Sequence, residues 1–323
     1  MEQAIGERQR WVWLLSALSV VAAAEAGAYS WPWVALGSLL VSGYYLYLDW
    51  ITPSTGIAGA MTSLGWAGKS LILLTMIWNV VAMGWAATLA DTAFPMVDGF
   101  PVLGWVLLAA AAWGSWKGAA SCARCCGVLS LFLLFLYGIV VTFALPDVQW
   151  KNLILTGNWK ESIWIVGLML TGMGAWYVPC HKNTKKPGWT MVLFLPIGIF
   201  VLSVITTGVL SPALVAVSQV PLYEVAQSVS LFGVVERIES LLSAAMTMGV
   251  FALLSTMSAA CQCLGNELKQ WRYYGIVCCI AAFGTMYLKK YFTVEFRTFG
   301  AGMVWLVLPL VSVVVSKFRS PNP

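Results

Sequence analysis

The sequence predicts an all-α, polytopic membrane protein of about ten spans, folded as a single integral membrane domain over residues 1–323. Three observations lead there. Sixty per cent of the residues are hydrophobic against ten per cent charged, and mean hydropathy is +0.83, outside the range of a soluble domain. Apolar runs approaching the roughly 20 residues of a membrane-crossing helix recur along the whole chain. Eighteen tryptophans and eleven tyrosines, many near the ends of these runs, match interfacial aromatic belts.

The spans follow in order. The first, 11–30, comes after Arg8 and Arg10, holds Ser16 and Ser19 mid-run, and is closed by Glu25-Ala26-Gly27. Its basic start and Ala22-Ala23-Ala24 imitate a cleavable signal peptide, but a polytopic chain uses such a run as a span. Glu25 is either an ion or proton group facing the interior or an interfacial carboxylate at the outer mouth. Span two covers 32–49. Span three, 66–90, carries Trp78-Asn79 at its centre, and a buried amide there must bond a neighbouring helix or line a cavity. Span four, 101–115, is short; span five is 119–145. Span six, 161–180, contains Gly167 and then Thr171-Gly172-Met173-Gly174, glycines that either weaken the helix or let a neighbour approach. Span seven is 188–211. Span eight, 234–264, shows Ser240, Ser243, Thr247, Ser255, Ser258 and Gln262 near one face, a stripe that lines a pathway or packs against a neighbour. Spans nine and ten are 269–288 and 298–317, and the gaps 50–65 and 146–160 read as loops.

Positive charge sets the orientation. Ten spans put both termini on one side, which then carries twelve of the eighteen Lys and Arg residues, so both termini are expected in the cytoplasm. The densest basic loop, Lys182, Lys185 and Lys186 before Pro187, fits this role together with contact to anionic lipid. The net charge of +5 reflects the same bias and points to the bilayer, with no nucleic-acid partner. Between spans seven and eight lies the island PLYEVAQSVSLFGVVERIE, Pro221 to Glu239, expected on the outer face. Its first half has helical periodicity: Leu222, Val225, Ala226, Val229 and Phe232 share a face, with Glu224, Gln227 and Ser228 opposite. Glu236-Arg237-Ile238-Glu239 then opens span eight, and Glu236, Arg237 and Glu239 are candidates for anchoring, gating or contact with a partner.

Catalytic chemistry finds no footing. There is no Gly-rich phosphate loop and no HExxH, and a single histidine, His181, leaves no Ser-His-Asp set, so an enzyme is not expected and no cofactor is implied. Cys122-x-x-Cys125 has a zinc-like spacing but straddles a membrane boundary without a second pair, so no metal is expected. The eight cysteines read as small residues packing between helices, most of them at or near the reducing, cytoplasmic side.

Ten spans divide into five plus five, with repeat one at about 11–145 and repeat two at about 161–317. In transporters built as inverted repeats, the first helix of each half is often broken and the substrate sits at the two breaks. That logic selects Ser16 and Ser19 in span one and Thr171, Gly172 and Gly174 in span six as candidate ligand contacts.

Several segments resemble one known family. VPLYEVAQSVSLFGVVERIESLLSAAMTMGVF resembles the region around the eighth span of the B-type subunits of spore nutrient germinant receptors, where Glu-Arg-hydrophobic-Asp starts the span; here Glu239 replaces the aspartate. GSWKGAASCARCCGVLSLFLL is similar to that family's basic-glycine start of span five, through Lys117-Gly118 and Arg124. ALPDVQWKNL is similar to its Leu-Pro-acid pattern after span five, through Leu145-Pro146-Asp147 and Asn152-Leu153, and Glu25-Ala26-Gly27 looks like the end of its first span. Span one is shorter than the family's, and Thr171-Gly172-Met173-Gly174 stands where the family has a Pro-Phe-Gly-Glu type of break. The family is related to the amino acid–polyamine–organocation transporters. The resemblance implies their LeuT-like five-plus-five fold and a small nutrient ligand such as an amino acid, held between spans one, three, six and eight, which adds Asn79 in span three and Ser243 and Thr247 in span eight to the candidate ligand contacts. It also implies an A-type membrane subunit and a C-type lipoprotein as partners, in a spore inner membrane or cell membrane. A stand-alone amino-acid permease and a structural assembly subunit without ligand are the alternatives.

Overall fold

A computed structural model describes residues 31–52, 56–93, 102–117, 119–153, 166–167, 169–172, 174, 189–217, 221–228, 238–268, 273–288 and 294–319. Among these residues there is no strand, and nearly all are helical. The helices are α1 (Trp31–Ile51), α2 (Gly56–Ser63), α3 (Trp66–Ala93), α4 (Val102–Trp116), α5 (Ala119–Ala144), α6 (Trp189–Leu210), α7 (Pro212–Val217), α8 (Pro221–Ser228), α9 (Ile238–Glu267), α10 (Tyr274–Tyr287), α11 (Val294–Gly302) and α12 (Leu308–Arg319). Trp66–Thr88, Arg124–Asp147, Ala244–Glu267 and Phe299–Phe318 are long and apolar enough to cross a membrane. Pro32–Leu48, Val102–Trp116, Pro196–Leu210 and Tyr274–Tyr287 are shorter apolar helices, at the places expected for spans two, four, seven and nine. The outward face of α5 displays Val128, Leu131, Phe132 and Phe135, all exposed, a band suited to hydrocarbon and not to water.

Burial ranks the helices. The most apolar window of α9 is 78% buried, against 29% for α5 and 33% for the last span, so α9 is the central column and the other two face outward. α9 packs against α2, α3, α4, α5, α8 and α10. The remaining contacts form a pattern. α1 packs on α6, α3 on α9 and α4 on α10, so spans two, three and four each touch the span five places later. Adding five to both members maps α3–α4 onto α9–α10 and α3–α10 onto α4–α9. The short helices obey it too: α2–α3 corresponds to α8–α9, and α2–α12 to α5–α8. The most extensive packing, α5 on α9, has only a slight counterpart in the touch of α3 on the last span, and the packing of α4 on α5 has no comparable one among the described residues.

Three local features depart from the sequence reading. The 50–65 gap is no plain loop: it carries α2, whose Ile57 and Met61 are completely buried. Left-handed Gly56 and Gly65, at φ 76° and 71°, bracket this helix and let the chain turn sharply into and out of it. Span ten is not one regular run. Met303–Val307 is a π-helical turn between α11 and α12, with Leu308 N–H donating to the Met303 carbonyl. Pro309 explains it, because it has no N–H for the Trp305 carbonyl and its ring crowds that oxygen, so the helix widens by one residue. In span six, Val166, Gly167, Met169–Gly172 and Gly174 are all helical, so the expected break is not located among the described residues there.

The 146–160 gap is tethered. Ser211, at φ 70°, ends α6, and Pro212 starts α7 without an N–H, which removes the donor that the Gly208 carbonyl would otherwise meet four residues on. Two donors from the other loop replace it: Gln149 N–H at 3.0 Å and Asn152 Nδ2 at 3.0 Å. Asn152→Ala is expected to cost about 1 kcal/mol, the ordinary net worth of one such bond, read as a lower melting midpoint in detergent. Between α3 and α4, the Asp91 carboxylate accepts from Gly104 N–H at 3.0 Å, so the last turn of α3 caps the first turn of α4. Asp91→Ala should cost a similar ~1 kcal/mol in the same measurement.

The Pro221–Glu239 island is helical over Pro221–Ser228, as its periodicity predicts. Leu222 and Val225 are buried against α6 and α9, while Ser228 is exposed. Glu236 and Arg237 lie outside the described residues. Glu239 sits in the first turn of α9, where only the backbone is described.

Candidate functional site

α3 is a 28-residue helix whose buried side repeats at helical spacing through Ile72, Met76, Met83, Ala87 and Ala90. Asn79 lies on that side at mid-helix and is completely buried. Neither its amide oxygen nor its nitrogen has a hydrogen-bond partner. The Cys261 thiol of α9 lies close enough to sense the amide, but without hydrogen-bond geometry. A carboxamide whose role was to join two helices would be bonded across the interface. Asn79 is so enclosed that it borders no open space, and leaving both atoms unmet between α3 and α9 costs roughly 1–3 kcal/mol each.

The polar stripe on α9 separates into two parts. At its C-terminal end it fastens α9 to α10. Ser258 Oγ donates to the Gly275 carbonyl at 3.2 Å, Gly275 N–H donates to Gln262 Oε1 at 3.1 Å, and Cys279 Sγ donates to Ser258 Oγ at 3.3 Å. These residues are helix-joining groups. Higher up, Ser255 is buried with no partner for its hydroxyl, and Thr247 is half-buried. Ser243 lies on α9, where only its backbone is described; Ser16 and Ser19 lie outside the described residues. The thiols behave as packing groups: Cys122, Cys126, Cys261, Cys278 and Cys279 are buried free thiols, and Cys126 Sγ donates to the Ala252 carbonyl at 3.8 Å. Among the described residues, no group of three His, Cys, Asp or Glu side chains could hold a metal ion.

Thr171, Gly172 and Gly174 are all buried. The Thr171 hydroxyl donates back to the Gly167 carbonyl at 2.9 Å, so its proton is used and only its lone pairs face outward from that bond. Gly174 abuts Trp305 in the π turn of span ten: a Cβ there would lie 2.5 Å from the indole ring. Trp305 is completely buried, and its indole N–H meets no acceptor. Trp78, the neighbour of Asn79, lies against Gly300 on the same last span and also has an unmet indole N–H. α3 touches the π turn directly. Span three, span six and span ten thus converge, bringing Trp78, Gly174 and Trp305 into one region.

No protein-family model matches this sequence, and no curated protein matches it.

Sequence reasoning missed Trp305 and the pair Tyr44–Tyr45 on α1. Tyr44 Oη donates to the Leu306 carbonyl at 2.7 Å, and Tyr45 Oη donates to the Leu170 carbonyl at 3.3 Å. The available signals were Pro309 with Gly300 and Gly302 in an otherwise apolar span, and two adjacent phenols inside another. The convergent groups include hydrogen-bond donors and acceptors on Asn79, Thr171, Trp78 and Trp305, a set that can hold a small polar molecule. An apolar groove between α1 and α6, lined by Ala35, Leu39, Pro196, Ile197 and Phe200, carries no polar group of this kind and faces outward.

Proposed function

We propose that the chain is a membrane subunit that binds a small polar nutrient such as an amino acid at its core, within a five-plus-five LeuT-like inverted repeat. The observation that carries this reading is the five-place offset in the helix contacts: two on seven, three on eight and four on nine. A two-fold repeat generates that pairing. An odd number of crossings per repeat turns the second copy upside down, which makes the repeat inverted. Spans three and eight meet inside it, with the unbonded Asn79 on the buried side of span three.

The sequence motifs direct the reading to a B-type subunit of a spore nutrient germinant receptor. It would sit in the spore inner membrane or cell membrane with both termini cytoplasmic, beside an A-type membrane subunit and a C-type lipoprotein. Glu236, Arg237 and Glu239, at the start of span eight, are the residues proposed to gate the site or meet a partner. In this role the bound nutrient biases the subunit between two packings and the partners report the change.

The test is a thermal-shift screen of the purified protein in nanodiscs against the twenty amino acids, followed by uptake of any hit into proteoliposomes. Stabilisation without uptake supports the receptor subunit. Uptake without partners supports the permease alternative. No stabilisation by any amino acid, with polar substitutions at Asn79 and Thr171 leaving germination unchanged, supports the assembly subunit.

A further inference from the structure

We propose that Tyr44 and Tyr45 are positioning residues that clamp span six and the π turn of span ten into one mechanical unit, with Trp305 at its centre. What the unit holds rests on the binding role just proposed; the clamp itself does not.

Adjacent residues on a helix point about 100° apart, so two neighbouring side chains can reach two different partners. Tyr44 reaches the Leu306 carbonyl in the π turn, and Tyr45 reaches the Leu170 carbonyl in span six. The two rings stand edge to face, with centroids 5.2 Å apart, so movement of one is felt by the other. α1 is also seated tightly on span six. Gly37 abuts the Val166 side chain, leaving no space for a Cβ.

The two clamped segments meet on their far side through Gly174 and Trp305, where a Cβ at residue 174 would lie 2.5 Å from the ring. A closed circuit results: Tyr44 to the π turn, the π turn through Trp305 to span six, and span six back to Tyr45. Pro309 widens this turn, and the Tyr44 hydroxyl, bonded to the Leu306 carbonyl inside it, holds the widened geometry in place. The turn so held places Trp305, whose ring covers Gly174 and whose indole N–H is buried without an acceptor. That N–H is the group the unit presents to a ligand's oxygen atom.

A simple stabilising bond and a circuit predict different results. Hydrogen exchange would be followed by mass spectrometry on the full-length, ligand-free protein in lipid nanodiscs, for Tyr44→Phe and Tyr45→Phe. Each variant keeps its ring and loses only the donor. The clamp predicts that either substitution raises exchange at least about threefold in both segments, Leu170–Gly174 and Met303–Leu308, with residues 250–264 of α9 unchanged. If Tyr44→Phe affects only the π turn and Tyr45→Phe only span six, or if neither segment changes, the proposal is overturned.

Gly174→Ala provides a second route that leaves both phenols intact. It must loosen Met303–Leu308 by pressing on Trp305, and unchanged exchange there also overturns the clamp. The ligand is absent throughout, so a failed amino-acid screen sinks the binding role without touching this result, and the reverse holds equally.

Discussion

Trp305→Ala is expected to destabilise the protein by about 3–5 kcal/mol, the range for removing a large aromatic from a packed interior. The side chain is completely buried and is touched from the opposite side by the backbone of Gly174. Glycine has no side chain that could swing into the space, so the cavity would stay largely open. The loss would show as a lower midpoint in thermal or SDS unfolding of the purified protein. Trp113 provides the contrast: it is 70% exposed on α4, and its replacement by alanine should leave the midpoint nearly unchanged. Trp305→Phe should fall between them, at about 1–2 kcal/mol, because most of the ring contact survives. Equal midpoints for Trp305→Ala and Trp113→Ala would remove Trp305 from the core of the site.

How far the molecule was legible in the sequence depends on the kind of signal. Hydrophobic run length located α1, α3, α4, α5, α6, α9 and α10, because lipid demands a continuous apolar helix and leaves few other patterns. The amphipathic period of Pro221–Ser228 identified α8 and its buried face, Leu222 and Val225, for the same reason. Periodicity says nothing about which neighbour a face meets. Ser258 and Gln262 therefore read as pathway or glue with equal right, and only their bonds to Gly275 decide for glue. α2 was missed because eight residues are too few for a span and their glycines and alanines look like loop. The π turn was missed because Pro309 acts four residues back, on the Trp305 carbonyl, while hydropathy averages over the whole run. Tyr44 and Tyr45 were missed because a phenol in an apolar run is ordinary. Their importance lies in two carbonyls, 125 and 262 residues away in sequence, that only the fold brings near.

Asn79 allows the most direct separation of binding from packing, because the two roles predict opposite signs for one substitution. Leucine has nearly the shape of asparagine and none of its polarity. If Asn79 held helices together, Asn79→Leu would break a cross-helix hydrogen bond and destabilise the protein by about 0.6–2 kcal/mol. In the structure the amide is completely buried and neither atom is bonded. Exchanging it for leucine removes two unmet polar groups without opening a cavity, which should raise stability by roughly 1–3 kcal/mol. The same substitution removes hydrogen-bonding groups proposed to meet the ligand, so any amino acid that stabilises the wild type should do so at least about tenfold less tightly in the variant, a loss of about 1.4 kcal/mol. A higher unfolding midpoint together with a lost ligand shift is the expected pair of results. A lower midpoint would return Asn79 to helix packing. A higher midpoint with undiminished ligand binding would move the site away from span three, towards Gly174 and Trp305.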